Sequence, residues 1–208
     1  MEKLDLAKQY KTYYSAKAKP QVLDIQRAQF LSIKGKGDPS GKEFADKLQA
    51  LYATAYCLKF MCKASGKDFV VAKLEAIWSF DEQRYGNVSI TDAPVKIPRN
   101  EWIYRLMIRM PEYVTQQQVV SAIDSVTATK NILLAAEIEL FSMTEGKVLQ
   151  MLHIGPFDTE PETLQLIHEF IVAHGLKRNG LHNEIYLSDF RKTAPDKLRT
   201  ILREPVTN

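Results

Sequence analysis

Cysteine is scarce, with Cys57 and Cys62 the only two in 208 residues. They lie five apart, which is neither the C-x-x-C spacing of a redox motif nor part of a zinc set, so disulfide scaffolds and thiol redox chemistry are disfavoured. No apolar run approaches the roughly 18 residues that a membrane span requires. The opening Met1-Glu2-Lys3-Leu4-Asp5 lacks the charged-then-apolar design of a secretory signal. A cytoplasmic protein without membrane contact is expected. Charge of one sign is also in short supply: Lys and Arg total 28 against 25 Asp and Glu, a net +3. That excess is too small and dispersed for an electrostatic nucleic-acid binder, and no direct nucleic-acid contact is expected. The chain has no G-x-S-x-G elbow, Walker phosphate loop, H-E-x-x-H helix or dinucleotide fingerprint. His153, His168, His174 and His182 show no metal-ligand spacing, so neither a metal nor another cofactor is expected.

What is present is an ordinary globular composition, 45% hydrophobic and 25% charged. Ser40/Glu43, Thr115/Gln118, Thr159/Glu162 and Thr193/Asp196 each pair a hydroxyl with an acid or Gln three positions on, predicting four helix starts. Phe44, Leu48, Leu51, Ala55 and Leu58 then recur at helical spacing, as do Leu164, Ile167 and Ile171 before Gly175. Strand character marks Val22–Ile25, Phe30–Ile33, Phe69–Phe80, Trp102–Met110, Ala136–Phe141, Val148–Ile154 and Glu184–Leu187. The class is α+β. Glu145-Gly146 predicts a hairpin turn, and Asp81–Arg99 reads as a long surface connection.

The two halves are alike. Phe30-Leu31-Ser32-Ile33-Lys34-Gly35-Lys36-Gly37-Asp38 and Gln150-Met151-Leu152-His153-Ile154-Gly155-Pro156-Phe157-Asp158 each lead into a capped helix, with Gly35/Gly155 and Asp38/Asp158 in register. After each helix comes a strand that places a glutamate near an aromatic, Leu74-Glu75-Ala76-Ile77-Trp78 and Asn183-Glu184-Ile185-Tyr186. A duplicated strand–helix–strand unit is expected within a single domain over 1–208, its copies at roughly 22–112 and 132–203.

Glutamate inside an otherwise apolar strand carries the functional reading. By alternation Glu184 and Tyr186 share one face and Ile185 and Leu187 the other. If the Ile/Leu face meets the helices, Glu184 and Tyr186 project from the opposite face, into solvent or into a ligand cleft. Trp102 and Tyr104 share a face in the same way, Trp78 ends the preceding strand, and Tyr52 and Tyr56 form an i,i+4 pair. These aromatics are either core or cage. A cage would hold a flat or cationic ligand while the acid supplies charge or takes a proton. His153 and His182 border these strands as further candidates.

The block His182-Asn183-Glu184-Ile185-Tyr186-Leu187-Ser188-Asp189, with Arg191 to Leu202 after it, resembles the C-terminal block of GyrI-like small-molecule-binding proteins. So do the Phe30–Pro39 run, Leu74-Glu75-Ala76-Ile77-Trp78, Trp102 with Arg109-Met110-Pro111, and Gln150–Pro156. The likeness runs from about Leu4 to Val206. It implies duplicated strand–helix–strand–strand units forming a pseudo-twofold sheet with a central ligand cleft, and a small aromatic molecule as partner. Stand-alone chains of this kind resemble the cyclopropanoid hydrolases, which open the strained cyclopropane of DNA-alkylating natural products.

On that resemblance Glu184 orients or deprotonates the attacking water, and Tyr186 or Tyr104 donates to the carbonyl oxygen. Trp78, Trp102 and Tyr52 stack on the ligand, with Tyr56 and His153 as further lining. Glu75 is either a second pocket acid or the partner of a lysine. The alternatives are non-catalytic sequestration of lipophilic or cationic aromatic drugs, and a protector that contacts gyrase, for which no dedicated surface is visible.

Overall fold

The computed structural model describes residues 3–86, 88–89 and 91–208. A short helix α1 (Leu6–Gln9) is followed by strands β1 (Gln21–Ile25) and β2 (Ala28–Lys36), then the long helix α2 (Lys42–Ala64) and strand β3 (Leu74–Ser79). Two helical turns, α3 (Glu82–Tyr85) and α4 (Ala93–Lys96), lie in the connection to β4 (Ile103–Met110), and helix α5 (Gln116–Lys130) follows. Strands β5 (Glu139–Met143) and β6 (Gly146–Ile154), helix α6 (Glu160–Ala173) and strands β7 (Lys177–Arg178), β8 (His182–Tyr186) and β9 (Arg199–Thr207) complete the chain.

All strand pairs are antiparallel, and the sheet runs β1-β6-β9-β8-β3-β4-β2-β5, with β7 added to β9. The order is symmetrical about the central β3–β8 pair: β4 and then β2 flank β3, while β9 and then β6 flank β8. The β1/β6 and β2/β5 ladders keep one register, with Ile25 opposite Gly146 and Ala28 opposite Met143. They continue one register through the turn, while β1 and β5, at the two ends of the order, do not pair with each other. The ladders correct the hairpin expected at Glu145-Gly146. The turn there carries the chain from one ladder to the other, and β5 and β6 pair with β2 and β1 instead of each other.

One of the four expected capping boxes forms. Thr115 accepts from the Gln118 amide and Gln118 reaches back to the Thr115 amide. Ser40 is taken up by Asp38 Oδ1, so α2 begins one residue later on Gly41 without a side-chain cap. Thr159 donates to the Pro156 carbonyl at 2.8 Å and leaves the start of α6 to Glu160. The helix expected after Thr193 is a single 3-10 turn, Pro195–Lys197, before the strand β9.

Strand β9 shows how the layers are filled. Leu202 packs with Leu149, Met151, Leu164, Ile167 and Ile171, under α6. Ile201 packs on the other face with Leu6, Tyr13, Tyr14, Ile25, Val148 and Ile185, under the N-terminal segment. Covered on both sides, the strand buries everything from Thr200 to Val206. Helices α2 and α5 cover the other half of the first face through Leu48, Leu51, Leu58, Val119 and Val126, in one cluster with Leu106 and Ile108 of β4. The helical face is thus split between α2/α5 and α6, and the gap between them lies over β3 and β8. Among the described residues no helix is long and apolar enough to cross a membrane.

Candidate functional site

Leu74, Ala76 and Trp78 of β3 point toward α2, and Ala76 lies directly opposite Glu184 in the β3–β8 ladder. Facing pairs share a side of the sheet. Glu184 and Tyr186 therefore lie on the helical face, whereas Ile185 lies against the N-terminal segment. The condition that the Ile185/Leu187 face meets the helices does not hold, since that face meets the N-terminal segment. The sequence had no sign that residues before β1 would form a second covering layer.

A cavity of about 400 Å³ opens in the gap between α2 and α6. One wall is Phe44, Trp78, Phe80 and Trp102, and another is Phe157, Tyr186 and Phe190. Phe44 and Trp78 stand nearly parallel, 7° apart with centroids at 6.2 Å, and Trp102 meets Trp78 edge-on at 6.0 Å. Phe157, Tyr186 and Phe190 form an edge-to-face triangle with centroids 5.9 to 6.0 Å apart. Ala93, Pro94 and Arg99, from the connection expected to be mere surface, also line the cavity. The volume is within the range of small-molecule sites.

The polar groups of the cavity form a chain that begins in three strands. Arg178 Nε of β7 donates to Glu204 Oε2 of β9 at 2.9 Å, and Glu204 Oε1 meets His182 Nδ1 of β8 at 2.5 Å. His182 Nε2 lies 3.3 Å from Glu184 Oε1, Tyr186 Oη donates to Glu184 Oε2 at 2.5 Å, and Trp78 Nε1 donates to Tyr186 Oη at 3.2 Å. Burial works against a charge on His182, but Glu204 and Glu184 outweigh it and push the imidazole up to about 10. His182 is therefore an imidazolium at neutral pH. Glu204 is fully buried, yet His182 and Arg178 hold its carboxyl below the usual range. Glu160 reaches the same cavity from the first turn of α6 and is 8% exposed. Burial and the neighbouring Glu184 push its carboxyl well above the usual range, against a smaller pull from His182.

Five of the residues singled out from sequence meet in this cavity: Glu184, Tyr186, Trp78, Trp102 and His182. Five do not. Tyr104 is 1% exposed behind Phe44 and Trp78, with its hydroxyl unpartnered, and a Cβ on Gly35 would stand 2.4 Å from its ring. Tyr52 and Tyr56 line a neighbouring groove with Leu48, Ile132 and Arg191, where Arg191 sits 5.4 Å from the Tyr52 ring. His153 ties β6 to α6 through Thr163 Oγ1 at 2.9 Å and the Pro156 carbonyl at 3.1 Å. Glu75 is fully buried on the far face, where Tyr13 donates to it at 2.5 Å and Tyr14 lies at 3.4 Å. It therefore pairs with tyrosines, where a pocket role or a lysine had been expected.

Glu160, Phe44, Phe80, Phe157, Phe190, Arg178 and Glu204 are not read as site residues from the sequence, and His182 ranks low there. The spacing His182-x-Glu184 on one strand face was the available signal, since both project to the same side. Among the described residues no three His, Cys, Asp or Glu side chains converge as metal ligands.

The profile of the GyrI-like small molecule binding domain matches residues 18–206. The chain belongs to the GyrI-like small-molecule-binding family. An uncharacterized conserved protein from Listeria innocua is 34% identical over 99% of this chain and all of its own, with a TM-score of 0.88. A protein from the same organism described as a hydrolase is also 34% identical over the same shares, with a TM-score of 0.85. The C-terminal domain of EcmrR, 9% identical over 91% of this GyrI-like chain and 98% of its own, shares the fold at a TM-score of 0.57. No functionally curated protein matches the chain.

Proposed function

We propose that the protein binds flat aromatic compounds in the α2/α6 cavity and hydrolyses the strained cyclopropane of DNA-alkylating natural products. The observation that carries this reading is a carboxylate, Glu184, gripped on both oxygens by His182 and Tyr186 inside a pocket walled by aromatic rings. The 34% identity to a Listeria innocua protein described as a hydrolase supports it.

The chemistry follows from the chain of contacts. Glu184 Oε2 accepts a hydrogen bond from Tyr186, Oε1 is ion-paired with His182, and each oxygen retains a lone pair for a water. That water adds to the cyclopropane methylene and gives its proton to Glu184. The breaking carbon–carbon bond sends its electrons into the conjugated dienone, whose oxygen becomes a phenolate. Trp78, Trp102, Phe44 and Phe157 hold the polycycle so that the methylene faces the water, which converts a bimolecular step into a positioned one. Tyr186 uses its proton on Glu184, so its role is to orient the base. Tyr104 lies behind the wall and stiffens it.

The test is to incubate the purified protein and its Glu184→Gln variant with a cyclopropane-bearing duocarmycin-type compound and follow the product one water heavier by mass spectrometry. Turnover by the wild type and at least a hundredfold loss in the variant is the expected result. Equal turnover in the two removes Glu184 from the mechanism. A second reading, sequestration of cationic aromatic drugs without chemistry, is favoured by the presence of two acids in one pocket; binding without product by both proteins would select it.

A further inference from the structure

Two carboxyl groups, Glu184 and Glu160, share the cavity, and the structure treats them differently. Glu184 has a donor on each oxygen, one of them from the His182 imidazolium. Glu160 has none on Oε1, which is buried and unpartnered, and among the described cavity residues it is alone in this. Two like charges in one dry site do not ionise together at low cost, and the charge goes to the group with the better donors. The better donors lie on Glu184, and burial with Glu184 beside it favours the protonated form of Glu160. A neutral carboxyl brings an O–H that it can donate, and this one has no fixed partner to take it.

We propose that Glu160 takes the polar end of the ligand, as an O–H donor to the carbonyl oxygen of a neutral aromatic compound and, after releasing its proton to solvent, as the counter-charge of a cationic one. The inference rests on the aromatic-ligand reading of the pocket and not on hydrolysis. The position suits both forms: Glu160 is the first residue of a 14-residue helix, whose N-terminal field favours an anion once a cation arrives. The charged and titratable groups around it are Glu184, His182 and Tyr186 on β8, Glu204 on β9, Arg178 on β7 and, before β4, Arg99, which is paired with Asp38. Of these, Glu184 opposes its ionisation and His182 assists it. Protons balance in each case, since a bound cation replaces one proton, which passes to the buffer, and a bound neutral ligand replaces none.

N-methylacridinium and N-methylacridone provide a cation and a neutral carbonyl compound of the same three-ring outline. Calorimetric titrations at pH 7 in two buffers of different ionisation enthalpy count the protons exchanged. Wild type should release close to one proton per acridinium and none per acridone. Acridinium affinity should rise up to tenfold per pH unit between pH 6 and 8, while acridone affinity stays flat. Glu160→Gln should release no proton and weaken acridinium at least tenfold, yet hold acridone within a fewfold because the amide still donates. As a variant that leaves Glu160 in place, Glu184→Gln removes the opposing charge and should reduce proton release at pH 7, because part of Glu160 is then already ionised.

Binding of both probes by the wild type without proton release, or an unchanged proton count in Glu160→Gln, overturns the inference and leaves the aromatic pocket standing. Failure of both probes to bind overturns the pocket reading with it.

Discussion

Glu75 makes the sharpest prediction about stability. Its carboxyl is fully buried on the far face of the sheet, where burial raises its pKa against the Tyr13 hydrogen bond and the charges of Arg203 and Arg109, leaving it at about 7 in place of 4.5. The folded protein therefore holds the Glu75 proton through a pH range in which the unfolded chain has lost it. A group raised in this sense stabilises the fold relative to its ionised form at low pH and does so less as pH rises from about 4.5 through about 7. A rise from 4.5 to about 7 corresponds to about 3 kcal/mol at roughly 1.4 kcal/mol per unit, and about 2.5 kcal/mol of this falls between pH 5 and 8.5. Glu75→Gln preserves shape and still accepts from Tyr13 but cannot ionise. Urea unfolding of both proteins at pH 5 and 8.5 isolates this group, because every other titration is common to the pair. Relative to the variant, the wild type should lose about 2.5 kcal/mol across that range. A difference between the two proteins that stays constant with pH would refute the argument that burial governs this carboxyl.

Three other outcomes follow from the geometry. His182→Gln leaves the fully buried Glu204 with Arg178 alone and should cost about 3 kcal/mol of unfolding free energy near pH 6. Because the His182 pKa is raised to about 10, that advantage of the wild type is complete below roughly 6.5 and fades as pH climbs through 10, which urea titrations at pH 6 and 10 would show. Trp102→Ala should weaken N-methylacridone about tenfold or more by fluorescence titration, whereas Tyr52→Ala and Tyr56→Ala, in the neighbouring groove, should leave its affinity unchanged. Gly35→Ala puts a Cβ 2.4 Å from the Tyr104 ring and should cost about 1–3 kcal/mol by thermal unfolding, with partial recovery when Tyr104→Leu is added.

Strand parity is what the sequence conveys best. It placed Glu184 with Tyr186, because alternation is a property of the backbone alone. It could not say which face the helices cover, since that depends on the segment before β1. There Tyr13 and Tyr14 close over Ile185 and Ile201. Strand β9 was hidden for a related reason. Leu198, Ile201 and Leu202 fit a helical stripe, and Arg203 and Glu204 argue for exposure. Both charged side chains are fully buried in a strand, Arg203 on Gln150, Glu145 and the Tyr13 carbonyl, and Glu204 on Arg178 and His182. Gly35 and Gly155 look equivalent in sequence and serve different ends. The first leaves room for the Tyr104 ring, and the second takes a φ of +141° that favours glycine. Glu160 was invisible because an acid in the first turn of a helix is commonplace, and only the position of α6 against β8 turns it into the cavity.

The charge balance of the cavity bears on which ligands it takes. Arg178 and Glu204 offset one another, His182 and Glu184 do the same, Arg99 is paired with Asp38, and the proton that we propose for Glu160 leaves the set neutral. A pocket built only to capture cations would have an uncompensated anion at rest, because a fixed counter-charge attracts its ligand without first giving up a proton. This cavity instead offers neutral polycycles a donor and a positioned carboxylate at no change in ionisation. It admits cations only against the proton affinity of Glu160, so cation capture should weaken in acid while binding of neutral compounds does not. That asymmetry suits the proposed action on uncharged, electrophilic rings.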